Sequence, residues 1–396
     1  MKCDIKIMLM KDFIPYGKHW VDQDDIKAVE AVLRSEYIVQ GPCVEKFEKA
    51  ICKYTGAKYC VAMSSGTAAL HLAVLALEIA PGSEGITTPN TFVASSNALL
   101  YGGLTPKFAD IDEHTYCIDP AEIKKKVTSK TKVIIAVDFA GQSAEMERIY
   151  SLARREEIFV IEDAAHALGS KYADRAKVGS CKYSDLTTFS FHPVKTITTG
   201  EGGCITANSK KLYEKLILLR SHGITKEPDK LKTNPGPWYY EMQELGFNYR
   251  MSDFQAALGL SQMKKLASFI KRRRQIARRY NKAFQGLSNL TVPFEKDGVK
   301  SAFHIYVVRL KFDKIKKTRT EFIKQLWTHN IGTQVHYIPV HYQPYYRKEF
   351  GFKKGDFPKT EQYYEQALTL PLYPKMTDAD VSRVIKSIKE VIGEKT

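Results

Sequence analysis

The chain has 396 residues, of which 44% are hydrophobic, and a formal net charge of +16. This length exceeds that of most single domains, so we expect about two domains, and the ordinary globular composition excludes disordered and fibrous proteins. No apolar run approaches the roughly 20 residues that cross a bilayer, so we predict no membrane association.

The positive charge is compatible with two kinds of partner. A basic surface attracts nucleic acid, but it also favours a substrate that carries a diphosphate. Basic residues recur along the whole chain, and the dense cluster from Lys271 to Arg274 falls within a long helical pattern, where it forms a solvated face. We therefore predict that the protein does not bind nucleic acid.

The cysteines and the N-terminus bear on the compartment of the protein. Seven cysteines are dispersed without a CxxC pair. Such a set argues against a disulfide framework and against zinc, so we predict no metal site. The segment from Met1 to Met10 is mildly basic, and its apolar patch at Ile7 to Met10 is shorter than the run of about 7–15 apolar residues of a signal peptide. Residues 1–13 are therefore treated together. We interpret them as an N-terminal extension and predict a cytoplasmic protein.

The predicted elements alternate between helix and strand. Apolar spacing predicts a helix over 22–33 and a second helix after Gly41-Pro42. A strand over 59–63 precedes Ser64-Ser65-Gly66-Thr67, and a helix follows over 68–77. Further strands are predicted at 85–88, 105–109, 133–137, 159–162 and 187–191, and further helices at 94–101, 121–126 and 144–156. This order predicts a mainly parallel α/β sheet with ligands at the carboxyl ends of its strands.

A long helical pattern from Asp253 to Phe284 is predicted to link two domains. We place the large domain over 14–260 and a small C-terminal domain over 261–396. Strands are predicted near 305–312 and 333–337, and helices over 320–329 and 378–392. The small domain is therefore predicted to be α+β.

Two strand ends carry groups suited to bind an anion and a cation. Ser65-Gly66-Thr67 opens a helix, whose free amides and close-approaching glycine suit a phosphate, although a routine capped turn has the same pattern. The apolar strand ending at Asp163 presents a carboxylate that can bind a metal, act as a base or pair with a cationic ring nitrogen. His166 follows it and suits a site or a structural hydrogen bond.

A third segment, Ser190 to Lys195, follows the strand over 187–191 and precedes Gly200-Glu201-Gly202-Gly203. Burial disfavours the charged form of a lysine, and a neutral amine is what attack on a carbonyl requires; an exposed loop lysine is the alternative. Together, an anion seat, the carboxylate of Asp163 and the amine of Lys195 match the phosphate, ring nitrogen and aldehyde of pyridoxal phosphate.

At this point the sequence resembles a known family. Its segments are similar to those of the sugar-nucleotide aminotransferases of the DegT/DnrJ/EryC1 group, from about residue 14 to the C-terminus. The matching segments are SSGTAAL, TTPNTFVAS, IEDAAHALGS, TFSFHPVK, GEGG, RSHG, GFNYRMSDFQAALGLSQ and QVHYIPVH. The resemblance implies the aspartate-aminotransferase-like fold type I, with pyridoxal phosphate as the cofactor.

The resemblance also implies roles around the cofactor ring. Lys195 holds the aldehyde and later moves a proton, and Asp163 pairs with the ring nitrogen. His166, where many relatives carry Gln, lies near the phenolic oxygen, and Phe92 stacks on the ring. Relatives that catalyse dehydration carry His at the position of Lys195, so the resemblance implies transamination.

The phosphate of the cofactor is bound, by the same resemblance, from two subunits. Gly66, Thr67 and Ser190 hold it within one chain. Asn248 is donated to the phosphate of the neighbouring subunit. A homodimer with shared active sites is therefore expected.

The resemblance to one branch of the family also implies a substrate. The segments VDFAGQ, HALGSKY, FHPVKTITTGEGG, RSHGITK and QVHYIPVHYQPYY look closest to the branch that aminates C4 of a UDP-4-keto-6-deoxy-N-acetyl-hexosamine in pseudaminic acid biosynthesis, with L-glutamate as donor. The residues implied to line the nucleotide-sugar pocket are Tyr16, Tyr37, Ile38, Val39, His336 and Tyr337. The alternatives are another UDP- or dTDP-4-keto sugar, of the bacillosamine or perosamine type, and a non-catalytic regulatory protein of the same fold.

Overall fold

A computed structural model describes residues 12–394, and it contains one large central sheet. The sheet has seven strands in the order β1-β7-β6-β5-β4-β2-β3. They are β1 (Tyr59–Met63), β2 (Glu84–Thr87), β3 (Thr105–Phe108), β4 (Thr131–Val137), β5 (Phe159–Asp163), β6 (Leu186–Ser190) and β7 (Gly203–Ala207). Strand β7 is antiparallel to both of its neighbours, and the remaining pairings are parallel. The predicted mainly parallel α/β sheet is confirmed.

Helices cover the sheet and follow the predicted positions to within a few residues. The first eight are α1 (Gln23–Leu33), α2 (Pro42–Thr55), α3 (Gly66–Ala76), α4 (Ala94–Tyr101), α5 (Pro120–Lys126), α6 (Met146–Arg155), α7 (Lys210–Arg220) and α8 (Asp253–Phe284). Helix α3 is apolar on nearly all sides, because it packs between the sheet and other helices. Strand β7 and helix α7 were not predicted.

Helix α8 contributes to two hydrophobic cores. Its side chains up to Ile270 pack into the core on one face of the large sheet. From Ile276 onward they pack into a separate C-terminal core that also contains Val384 and Ile388. One helix thus connects both cores, while the domain boundary at residues 260 and 261 stays a prediction. Most of the proposed N-terminal extension, 1–13, lies outside the described residues.

The C-terminal part is built on a small antiparallel sheet. Its strands are β10 (Leu290–Thr291), β11 (Tyr306–Leu310) and β12 (Ala367–Leu370); a separate two-stranded ribbon joins β8 (Ile224–Thr225) and β9 (Glu241–Met242). The accompanying helices are α9 (Phe312–Ile315), α10 (Arg319–Thr328), α11 (Pro344–Phe350), α12 (Pro358–Gln366) and α13 (Asp378–Ile392). Helix α13 begins at a reciprocal capping box between Thr377 and Asp380.

The strand predicted over 333–337 is wrong. Gln334 alone of this segment pairs with a strand, exchanging backbone hydrogen bonds with Thr369 of β12 (3.2 and 2.7 Å). The segment then leaves the sheet, which places His336 and Tyr337 at a cavity. Similarly, the strand predicted near 305–312 ends at Leu310 because Phe312 begins a helix. No helix among residues 12–394 is long and apolar enough to cross a membrane.

The ends of three parallel strands meet at one edge of the large sheet. Met63 at the end of β1 and Ser190 at the end of β6 both lie opposite Gly203, the first residue of β7. Asp163 ends the adjoining strand β5. The three polar segments singled out in the sequence are therefore neighbours in space.

Candidate active site

A cavity of about 430 Å³ opens at this edge of the sheet. Most of the residues predicted to bind a cofactor or substrate line it. They are Tyr16, Gly66, Thr67, Phe92, Asp163, His166, Ser190, Lys195, His336 and Tyr337. The sheet edge supplies the charged groups, and the C-terminal part supplies a second side of the cavity.

Lys195 lies in a turn that follows β6. Its backbone N–H donates to the carbonyl of His192 (2.9 Å), and its side chain is half-buried. Burial lowers the pKa of the Lys195 amine to about 8, against the opposing effect of the negative charge of Asp163. The amine therefore loses its proton more readily than an exposed lysine, as a nucleophile toward a carbonyl must.

Asp163 is held as a hydrogen-bonded carboxylate at the bottom of the cavity. Ser95 Oγ donates to its Oδ2 (2.6 Å), and the backbone N–H of Ala165 donates to its Oδ1 (3.1 Å). Burial raises the pKa of Asp163, while these two hydrogen bonds and the positive charge of Lys195 lower it. A buried carboxylate with such donors is suited to stabilise a cationic partner in the cavity.

The start of helix α3 forms a close-fitting anion seat. Ser65 caps the helix, its Oγ accepting from the N–H of Ala68 (3.0 Å), and the preceding amides of the first turn are left without helical partners. A Cβ at Gly66 would lie 2.8 Å from Ser190 Cβ, and a Cβ at Gly203 would lie 2.5 Å from the Ser65 carbonyl oxygen. Glycine at both positions lets the start of α3 pack directly against Ser190 at the end of β6 and Gly203 at the start of β7.

His166 and Tyr337 form a hydrogen-bonded pair beside Lys195. His166 Nδ1 accepts from the backbone N–H of Ala140 (3.3 Å), and Nε2 lies 3.0 Å from the hydroxyl oxygen of Tyr337. Burial and the positive charge of Lys195 hold the pKa of His166 well below its ordinary value. The ring of Phe92 is 58% exposed and lies 6.2 Å, between centroids, from that of Tyr337, so it presents an open aromatic face to the cavity.

The structure adds two residues to the site that the sequence did not single out. Ser95 lies three residues after Phe92, in the first turn of α4, and donates to Asp163, but no local pattern within TTPNTFVAS marks it. His304 is only 3% exposed, its Nδ1 has no partner among the described residues, and its ring centroid lies 4.4 Å from that of His166. No sequence pattern distinguishes His304.

Four predicted residues do not line the cavity of their own chain. Tyr37, Ile38 and Val39 lie in an exposed loop, and Asn248 is exposed beside a backbone bridge to Ser221. The loop is tied to the start of α8, because Asp253 accepts the N–H groups of Gly41 (2.7 Å) and Cys43 (2.8 Å). The binding roles predicted for these four residues stay predictions.

The protein is similar in sequence and in architecture to known proteins. The chain matches the DegT/DnrJ/EryC1/StrS aminotransferase family over residues 20–389. It is 44% identical to the spore coat polysaccharide biosynthesis protein SpsC of Bacillus subtilis, over 96% of this chain and 97% of that protein.

Solved structures of aminotransferases are also similar to this protein. PseC of Helicobacter pylori, an aminotransferase involved in the biosynthesis of pseudoaminic acid, superposes with a TM-score of 0.89 at 32% identity, over 96% of this chain and 99% of that one. The sugar aminotransferase Spr1654 of Streptococcus pneumoniae in its pyridoxal-phosphate form superposes with a TM-score of 0.88 at 31% identity, over 96% and 98%.

The cavity fits the cofactor of this family. The seat formed by Gly66, Thr67 and Ser190 suits a phosphate, the carboxylate of Asp163 suits a protonated pyridine nitrogen, and the amine of Lys195 suits an aldehyde. The chain therefore belongs to the DegT/DnrJ/EryC1/StrS aminotransferase family, whose members are sugar aminotransferases that depend on pyridoxal phosphate.

Proposed function

We propose that the protein transfers an amino group from L-glutamate to C4 of a UDP-4-keto-6-deoxy-N-acetyl-hexosamine, the reaction of pseudaminic acid biosynthesis. Lys195 and Asp163 line the same cavity, and this observation carries the amino-transfer chemistry. The choice of sugar is supported by the segments that look closest to the pseudaminic branch and by the similarity to PseC over nearly the whole chain.

In this proposal the residues of the sheet edge carry the chemistry. Pyridoxal phosphate supplies, when bound, an aldehyde that takes up the amino group and a ring that accepts electrons from the substrate carbon. Lys195 Nζ would hold the cofactor at its aldehyde and would carry a proton to and from the substrate carbon. Asp163 keeps the ring nitrogen protonated through an ion pair that its hydrogen bonds from Ser95 and Ala165 hold in place.

The remaining residues bind and orient. Gly66, Thr67 and Ser190 surround the phosphate at the helix terminus, and Phe92 covers the ring. Tyr16 and His336, which line the cavity with their rings 5.5 Å apart, contact the sugar nucleotide. The exposed loop of Tyr37, Ile38 and Val39 extends that contact beyond the cavity.

We also propose a homodimer with shared sites. Asn248 is exposed and lies outside the cavity of its own chain, and the segment before it exposes Trp238, Tyr240, Met242 and Leu245. Large exposed apolar side chains in one segment favour burial against another protein surface. A second copy of the chain would bury them and bring its Asn248 to the phosphate of this one.

Mixtures of two variants test whether the active sites are shared between subunits. A heterodimer of Lys195→Ala and Asn248→Asp subunits contains one site with both native residues, so mixing two nearly inactive proteins under subunit exchange restores activity. If the mixture stays inactive while light scattering shows that heterodimers form, the shared site is wrong.

A second substrate within the same reaction class has its own support. The chain is more similar to SpsC, at 44% identity, than to PseC, at 32%. This similarity favours a sugar other than the pseudaminic precursor, and the alternatives that the sequence offers are 4-keto sugars on UDP or dTDP of the bacillosamine or perosamine type. Substrates that differ only in ring stereochemistry change few contacts in such a pocket.

Measurements of turnover distinguish the two proposed substrate classes. The holoenzyme is incubated with a panel of UDP- and dTDP-4-keto sugars and ¹⁵N-glutamate; mass spectrometry detects the labelled amino sugar, and NMR fixes the configuration at C4. We expect the largest kcat/KM for the UDP-linked precursor of the pseudaminic pathway. A larger kcat/KM for a dTDP sugar, or for the bacillosamine precursor, would show that the competing substrate proposal is correct. Lys195→Ala serves as the inactive control.

A further inference from the structure

Three consecutive arginines of α8 have different surroundings. The guanidinium of Arg272 pairs with Asp378 (2.8 Å), and that of Arg274 pairs with Glu295. Arg273 lies between them in the chain, but it is only 2% exposed and forms no ion pair with any residue that the structure describes. Because removal of a charge from water is costly, a buried cation without a carboxylate partner needs another source of negative charge.

The protein supplies only part of that negative charge. Arg273 Nη1 donates to the carbonyl oxygens of His304 (2.8 Å) and Leu372 (2.9 Å), which carry partial negative charges. Nε and Nη2 have no hydrogen-bond acceptor within the described part of the chain. Burial lowers the pKa of Arg273 to about 10, so the guanidinium is still positively charged at neutral pH. The chain thus leaves two donor nitrogens of Arg273 unused and most of its charge unbalanced.

Arg273 lines a small pocket beside α8. The pocket, of about 10 Å³, is bounded by α8, by the turn that contains Thr196 and by residues 18–20. The stacked rings of Trp20 and Phe269, 5.6 Å apart between centroids, form an apolar side of it. A space of this size holds one water molecule or one monatomic ion, and it is too small for phosphate, sulfate or a carboxylate.

The charges around this pocket favour an anion. Three strongly basic side chains contribute to its lining, namely Lys18, Lys195 and Arg273. Of the described residues that line the pocket, none is acidic. Gln262 also lines it and donates to Asp25 (2.7 Å), but the charge of this carboxylate is balanced by Lys265 (2.7 Å). Unbalanced positive charge at a buried site attracts an anion more strongly than it attracts a neutral water molecule.

We propose that this pocket, here called the halide pocket, binds a monatomic anion of the size of chloride or bromide, which accepts hydrogen bonds from Arg273 and balances its charge. The bound ion connects α8 with the turn after β6 and with residues 18–20, so its binding stabilises the folded protein. The proposal concerns neither the cofactor nor the amino transfer, and it is independent of the identity of the sugar.

Bromide locates the ion directly. Crystals of the protein with bound pyridoxal phosphate are soaked in sodium bromide, and anomalous scattering at the bromine absorption edge identifies the bound ions. We expect an ordered bromide in contact with the guanidinium of Arg273. Bromide confined to the protein surface, which is an adventitious ion only, overturns the proposal. A water molecule beside Arg273 without an anomalous signal overturns it as well.

The melting temperature of the same holoprotein measures binding in solution. Chloride replaces gluconate at constant ionic strength, because gluconate is too large for the halide pocket and general screening then stays equal. Binding at one site predicts little change below the dissociation constant and, above it, a rise that is linear in the logarithm of the chloride concentration. A melting temperature that does not rise with chloride would refute the proposal.

Three variants distinguish the halide pocket from general charge effects. Lys18→Ala removes a basic side chain of the pocket, and Lys271→Ala removes an exposed one of α8 that does not line it, so each lowers the net charge by one. Lys18→Ala should weaken chloride binding about twofold to fivefold, and Lys271→Ala should leave its dissociation constant unchanged. Arg273→Met should no longer respond to chloride. Equal dissociation constants in the two lysine variants, or a wild-type response in Arg273→Met, would mean that chloride acts elsewhere.

Discussion

Two sides of the cavity are built on different principles. The floor, formed by Gly66, Asp163, Ser190 and Lys195, comes from the ends of parallel strands and from the turns after them. The wall, formed by His304, His336 and Tyr337, comes from the C-terminal part, where residues 336 and 337 lie in an irregular segment. The floor joins a backbone anion seat to ionisable groups, whereas the wall presents groups that burial keeps uncharged.

The protonation states express this difference. On the floor, the pKa of Lys195 is lowered to about 8 and Asp163 receives two hydrogen bonds that favour its charged form. On the wall, burial lowers the pKa of His336 to about 3 and raises that of Tyr337. Groups that change charge near neutral pH are suited to proton transfer. Groups whose charge stays constant there are suited to binding and orientation. Floor variants should therefore lower kcat, and wall variants should raise KM.

The largest effect is expected for Lys195→Ala. The variant should retain pyridoxal phosphate through the anion seat and Asp163 but lose turnover on the order of 10⁴-fold, because Lys195 is the only lysine among residues 12–394 that lines the cavity. Steady-state kinetics and the absorbance of bound cofactor measure the two effects. Borohydride should fix the cofactor to the wild-type protein and not to this variant.

Lys177→Ala is the matched control for that experiment. Lys177 also has a pKa lowered by burial, but its amine donates to the carbonyl of Tyr54 (2.5 Å), away from the cavity. Its removal should leave kcat within about twofold of wild type. Comparable losses in both variants would mean that general destabilisation, and not the floor amine, limits the rate.

Asp163→Asn is expected to lower kcat on the order of a hundredfold or more, since the ring nitrogen loses the charge that keeps it protonated. It should also lower the pKa of Lys195, because Asp163 raises that pKa. The rate at which the apoprotein binds cofactor rises as the Lys195 amine loses its proton. The pH midpoint of this rate, near 8 in wild type, should therefore be lower in the variant.

The neighbouring carboxyl provides the control for Asp163. Glu162 precedes it in β5 and is fully buried, but it points to the opposite face, where it accepts from Tyr172 Oη (2.7 Å) and Thr187 Oγ1 (2.9 Å). Glu162→Gln should alter the melting temperature and leave the midpoint of cofactor capture in place. A shift of the same size from both variants would contradict a specific role for Asp163.

The contrast between floor and wall also explains what the sequence predicted. Asp163, Ser190 and Lys195 follow apolar strands, and parallel strands place their carboxyl ends together, so local pattern and topology combine to locate the floor. His336 and Tyr337 were named through family resemblance, but their strand was predicted wrongly. Their position depends on Gln334 pairing with Thr369, a contact between distant segments that no local pattern encodes.

Side-chain partners were the other part that the sequence did not reveal. Ser95 has an ordinary position in the first turn of a helix, and its importance lies in a 2.6 Å hydrogen bond to a carboxylate 68 residues away. His304 stands two residues before β11, where nothing in the spacing separates it from other residues near a strand. Both emerge only when the packing of the sheet against α4 and the C-terminal part is known.

Ser95→Ala is expected to lower kcat about tenfold, because a hydrogen bond to a charged group is lost. The bond lowers the pKa of Asp163, so its removal should raise that pKa and move the acid limb of the kcat profile to higher pH. Ser96→Ala is the control: Ser96 is also buried in α4, but it bonds Tyr346 Oη (2.8 Å) and does not line the cavity. An acid limb unmoved in Ser95→Ala would count against coupling to Asp163.

The smallest effect is expected on the wall, for Thr369→Val. Thr369 Oγ1 lies 2.8 Å from His336 Nδ1 and fixes the orientation of that imidazole. Its loss should raise KM for the sugar nucleotide about twofold to tenfold, with kcat within about twofold, since His336 is proposed to orient the substrate and burial keeps its imidazole neutral. Thr333→Val is the control, because the buried hydroxyl of Thr333 has no partner among residues 12–394 and its replacement removes no hydrogen bond. A fall in kcat for Thr369→Val at unchanged KM would place His336 among the groups that move protons and would remove the distinction between floor and wall.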